Sequence, residues 1–94
     1  MTLAEIALKN WQWVERMGWH NKTPLEFLAL IASEVGESVN ECRGERPTEN
    51  LGEELADIIL RVTDLAHHCD IDIQAQVLRK MKINEDRGTR GRVK

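Results

Sequence analysis

No apolar run in this sequence approaches the ~20 residues needed to cross a bilayer, and the N-terminus carries no signal-peptide pattern. A membrane partner is therefore not expected, and the expected compartment is the cytoplasm. The sequence also lacks any β-strand candidate, internal repeat or low-complexity segment. Cysteine is scarce: Cys42 and Cys69 each fall near the C-terminal end of a predicted helix. If those helices run antiparallel, the two thiols lie at opposite ends and cannot form an intrachain disulfide; both read as small buried hydrophobes. What is present is a chain of 94 residues, 41% hydrophobic and 31% charged, a balance that fits one small globular domain rather than a disordered segment.

The charge is divided along the chain. Nine acidic residues between Glu26 and Asp57 face only Arg43 and Arg46, whereas seven basic residues between Arg79 and Lys94 face only Glu85 and Asp86. This asymmetry suggests a cation-binding middle and an anion-binding end.

The helix signals are local and chemical. Thr2 with Glu5 forms a capping-box pattern, opening a first helix at Leu3 whose stripe Leu3, Ile6, Ala7, Trp11, Val14 and Met17 runs to Gly18. Thr23-Pro24-Leu25-Glu26 combines an N-cap, a proline at the first helical position and a capping-box glutamate. The second helix is predicted from Pro24 to Arg43, stopped by Gly44, with Leu28, Ile31, Val35, Val39 and Cys42 as its apolar seam. Asn50 and Glu53 resemble another capping box before a third helix, whose seam is Leu51, Leu55, Ile58, Val62, Leu65 and Cys69. Asp70 or Asp72 caps a fourth helix with Ile73, Val77, Leu78, Met81 and Ile83 facing inward. The expected fold is all-α: an antiparallel helical hairpin with flanking helices, four-helix-bundle-like. One domain should cover residues 1–88, with 89–94 a basic, flexible tail.

The chemistry concentrates between Glu34 and Asp57. Glu34 and Glu37 are three residues apart, as are Glu54 and Asp57, so each pair shares one helix face. Glu34, Glu37 and Glu41 lie on a stripe beside the apolar seam. Facing helices would bring four carboxylates together, and at ~4 Å and an effective dielectric of ~20 each like-charged pair costs roughly 4 kcal/mol. Splaying into water, protonation or a cation must relieve that cost. An all-oxygen set suits Mg²⁺ or Mn²⁺ and not zinc. The basic segment around Lys80 and Arg87 could supply phosphate contacts, and a metal-held polyphosphate beside an activated water is arranged for phosphoanhydride hydrolysis.

Glu34-x-x-Glu37, sixteen intervening residues, then Glu54-x-x-Asp57, with Lys80-x-x-x-Asn84-x-x-Arg87 downstream, resembles the MazG-type nucleoside triphosphate pyrophosphohydrolases of the all-α NTP pyrophosphatase superfamily. The likeness spans about residues 24 to 88. It implies Mg²⁺-dependent hydrolysis of (deoxy)nucleoside triphosphates to a monophosphate and pyrophosphate, clearing unwanted nucleotides. It also implies Glu34, Glu37, Glu54 and Asp57 as metal-binding and catalytic residues, Lys80, Asn84 and Arg87 as phosphate or sugar contacts, and a homodimer or homotetramer with sites built across subunits. Ser33 stands where many relatives carry another acidic residue, a departure that bears on metal stoichiometry. Phosphoribosyl-ATP hydrolysis uses the same metal motif, and a non-catalytic helical oligomerisation or regulatory module is the alternative outside enzymes.

Plainer readings stand beside these. Either glutamate pair could be an ordinary solvated helix face. Trp13 and Trp19 could stack on a base or belong to core or interface. His67 and His68 point about 100° apart on a helix and chelate poorly together. The basic tail has neither aromatic interleaving nor a known nucleic-acid motif, so nucleic acid is not an expected partner.

Overall fold

The computed structural model describes residues 1–89 and contains four helices and no strand among them: α1 (Leu3–Arg16), α2 (Pro24–Asn40), α3 (Leu51–His68) and α4 (Ile73–Thr89). The tail expected at 89–94 lies, from Arg90 on, outside the described residues. None of these helices is long and apolar enough to cross a membrane.

The first two helix starts form as their sequences dictate. The hydroxyls of Thr2 and Thr23 accept from the amides of Glu5 and Glu26, and each glutamate carboxylate accepts in return from the amide of its threonine. Two orphan amides are satisfied at each end. At α4 the choice between two aspartates is settled for Asp72, whose carboxylate accepts from the Ala75 amide. Asp70 instead takes a left-handed conformation, φ +57°, and closes α3: the Ile71 amide reaches back to the Ala66 carbonyl. The third capping box does not form. Asn50 sits in helical conformation with no side-chain cap, because Thr48 has already turned the chain: its amide and hydroxyl both donate to Glu41, and the Leu51 amide donates to the Thr48 carbonyl. The same fold-back ends α2 at Asn40 rather than Arg43, in a last turn tightened to shorter-range bonds.

α3 is the centre of the fold, with α1 packed along one side and α2 along the other. Its buried residues Thr63, Asp64 and Ala66 lie between these neighbours, with Ala7 of α1 and Phe27 of α2 against them. α2 is turned about one residue from the expected seam. Phe27, Leu30, Ile31, Glu34, Ser38 and Glu41 face inward, while Leu28, Val35 and Val39 are about half exposed, Val39 at 54%. α2 is apolar on two faces, and periodicity alone could not say which one meets α3. Cys42 and Cys69 are both exposed, not buried, because each falls just past its helix end.

α4 also departs from expectation. It touches α1 and α3 but not α2, and is tied to α1 by the Gln74 carboxamide, which accepts from the Ala4 amide. Val77, Leu78 and Met81 are exposed, Met81 at 61%, so α4 projects as an arm rather than completing a closed bundle. The radius of gyration, 15.7 Å, exceeds the ~12 Å of a compact chain of this length.

Candidate active site

Two features of the fold build the site. The first is the turn after α1. Gly18 adopts φ +73°, the Gly18 amide donates to the Glu15 carbonyl and the Trp19 amide to the Val14 carbonyl, a paired closure that needs a residue free of Cβ strain. The turn throws Trp19 back onto Trp13, edge to face with ring centroids 5.1 Å apart, and drives His20 inward. There the His20 ring stacks on Trp11, and its Nε2 donates to Asp64 Oδ1 at 2.8 Å. Both side chains are about 5% exposed, and an ionised carboxylate, which can only accept, calls for the proton on Nε2. His20 Nδ1 lies 3.3 Å from Glu15 Oε1 without hydrogen-bond geometry. His67 and His68 close round the same ring group, against Trp11 and against His20 and Phe27.

The second feature is the facing of α2 and α3. The inward turn of α2 brings Glu34 against Glu54 and Asp57, and one carboxylate oxygen from each of the three lies within 4.8 Å of the other two. Oxygens around an octahedral Mg²⁺ stand about 3.0 Å apart when adjacent and about 4.2 Å when opposed, so the three side chains would draw together to close on such an ion. Glu54 Oε2 is buried with no hydrogen-bond partner, an acceptor that a cation would satisfy. The donor set thus fits a hard divalent ion. Glu37 stands outside the converging three, though its charge acts on Glu54. Glu41, on the same stripe, is engaged by Thr48.

Loss of surrounding water, then the negative charges of Glu37 and Glu34, push the Glu54 carboxyl above its ordinary value. A carboxyl raised by folding holds its proton more tightly folded than unfolded. Its repulsion is absent at low pH and appears as pH rises through the raised value, so stability falls there. In chelator, the melting temperature of the wild type should therefore drop, relative to Glu54→Gln, between mildly acidic and neutral pH. Excess Mg²⁺ should remove the difference by stabilising the wild type.

These two features share one cavity of about 570 Å³. Asp57, Arg61 and Asp64 line it from α3, and Asn10, Trp13 and Trp19 line it from α1 and its turn. Of the carboxylate cluster, Asp57 reaches this cavity, and the tryptophan pair lines it as well. Over residues 22–87 the chain matches the model of the MazG nucleotide pyrophosphohydrolase domain. The chain belongs to the MazG family. No curated protein and no solved structure matches it significantly. MazG membership carries nucleotide pyrophosphohydrolase activity in general, and MazG enzymes are typically dependent on a divalent metal.

Within this MazG chain, the sequence-predicted residues divide into two groups. Glu34, Glu54 and Asp57 converge, and Trp13 and Trp19 line the adjoining cavity. Lys80, Asn84 and Arg87 do not join them: they ride on α4, which packs on α1 and α3 and not on α2. Sequence reading missed Asp64, His20, Asn10 and Arg61. Asp64 had a signal, since it lies seven residues after Asp57 on the same helical face.

Proposed function

We propose that the protein hydrolyses nucleoside triphosphates, deoxynucleotides among them, between the α- and β-phosphates, using Mg²⁺, with Mn²⁺ as a substitute, in the cytoplasm. The observation that carries this reading is the convergence of Glu34, Glu54 and Asp57, with Asp57 also lining the cavity that Trp13 and Trp19 line. Glu34, Glu54 and Asp57 hold the ion. Such an ion supplies charge neutralisation at the phosphates and makes the attacking water more acidic. Glu37, close enough to Glu54 to raise its proton affinity, takes the proton from that water. The water oxygen bonds to the α-phosphorus, the bridge to the β-phosphate breaks, and pyrophosphate leaves. The tryptophan pair receives the base.

The open apolar faces support assembly with further copies. Leu28, Val35 and Val39 on α2 and Leu78 and Met81 on α4 are large hydrophobics without cover. In a dimer or tetramer, Lys80, Asn84 and Arg87 on the arm of one copy reach the phosphates held by another.

The test incubates the protein with Mg²⁺ and each of the common ribo- and deoxyribonucleoside triphosphates, and measures pyrophosphate and phosphate separately, with light scattering on the same sample. The expected result is pyrophosphate with a monophosphate product, from a particle larger than one chain. Phosphate alone, or no release from any nucleotide, would sink the reading. A single-chain mass with full activity would remove the shared site.

A further inference from the structure

The Arg61 guanidinium lies beside the carboxylate cluster: its Nε is 3.3 Å from Glu34 Oε1, with Arg61 39% exposed and Glu34 15%. This is its one polar contact among the described residues, in which its two terminal nitrogens have no partner. Arg61 also lines the cavity, one helical turn from Asp57 toward Asp64 and the tryptophan wall. An arginine so placed spends only part of its fork on protein. In the cation-free state it offsets the repulsion among Glu34, Glu54 and Asp57. A divalent ion seated on those oxygens carries the same sign as Arg61 and competes with it for Glu34. The displaced fork then faces a cavity whose described polar lining includes two carboxylates, Asp57 and Asp64. Its unmet donors match the paired oxygens of a phosphate in geometry and charge.

We propose that Arg61 is a substrate-contacting residue with two positions, held on Glu34 when the site lacks its ion and clamped on the phosphate nearest the sugar when ion and nucleotide are bound. The inference rests on the nucleotide reading given above. Position selects the phosphate: Arg61 lies between the cluster that holds the ion and the wall that receives the base, so the α-phosphate is the one within its reach. A merely structural role predicts something different, since a half-exposed ion pair contributes little and has no bearing on ligand affinity.

The experiment is calorimetric titration of wild type, Arg61→Ala and Arg61→Lys with a triphosphate whose α–β bridge is a non-hydrolysable imido group, in excess Mg²⁺. Mg²⁺ alone is titrated in parallel, and circular dichroism checks that each variant is helical. Arg61→Ala should weaken analogue binding about tenfold or more, the loss expected for a charge-assisted bond to phosphate. Its affinity for Mg²⁺ alone should be unchanged or higher, because a competitor for Glu34 is gone. Arg61→Lys should recover part of the analogue affinity, keeping charge without the fork. Equal analogue affinity in Arg61→Ala and wild type, or a loss of Mg²⁺ affinity matching the loss of analogue affinity, would overturn the proposal while leaving the nucleotide reading intact. Failure of the wild type to bind the analogue would overturn both.

Discussion

Asp57→Asn, Glu54→Gln and Glu34→Gln are each expected to slow nucleotide hydrolysis by about 10²–10³-fold or more, the range seen when a preorganised electrostatic partner is removed from an active site. The reason lies in the geometry: three oxygens from three side chains converge within 4.8 Å, and a three-point site that loses one point no longer fixes the ion. The same substitutions should not destabilise the cation-free protein. Each removes a negative charge from a cluster in which Glu37 and Glu34 already push the Glu54 proton affinity up. A drop in turnover with an unchanged or higher melting temperature in chelator is the signature of a functional cluster. A structural carboxylate would show the reverse, lower stability with activity roughly retained. The Mg²⁺-induced rise in melting temperature should vanish in all three variants. Turnover within a few-fold of wild type for any of them would remove that residue from the ion site.

His20→Ala should have the largest effect on folding. It removes the hydrogen bond to Asp64 from a place where both side chains are about 5% exposed, and leaves the Asp64 carboxylate buried without that donor. Breaking a buried pair by deleting one partner costs about 3–5 kcal/mol, and the lost stacking against Trp11 adds roughly 1 kcal/mol. For a domain whose total stability is about 5–15 kcal/mol, that is a third or more of the whole. Asp64→Asn, which keeps shape and an acceptor, should cost only about 1 kcal/mol. Urea unfolding followed by helical circular dichroism separates the two. Equal, small losses for both would mean that the hydrogen bond is not what orders this end of the cavity.

The residues that announced themselves in the sequence were those whose partners are close along the chain. Thr2 with Glu5 and Thr23 with Glu26 act across three positions, and their helices start where the pattern says. The pairing of Glu34 with Glu37 and of Glu54 with Asp57 on shared helix faces was legible for the same reason, while only the turning of α2 toward α3 brings Glu34, and not Glu37, against Glu54 and Asp57. What stayed hidden depends on distant partners. His20 stands in the connection between α1 and α2, and only Asp64, 44 residues away, makes it a core residue. Of the expected α2 seam only Ile31 turns inward, because Leu28, Val35 and Val39 are as apolar as Phe27 and Leu30. Which set turns inward depends on α3, and the other set is left open to solvent. Likewise Val77, Leu78 and Met81 have the periodicity of an inward face, yet α4 has no α2 to pack against.

α3 also serves as a ruler. Asp57 at the carboxylate cluster and Asp64 on the cavity lining stand on one rigid helix, seven residues or about 10.5 Å apart along its axis. Side-chain rotation can change what each end grips but not that interval. A molecule that reaches from one mark to the other must be at least that long. Cleavage of an occupant that reaches from one mark to the other would leave fragments too short to span the interval.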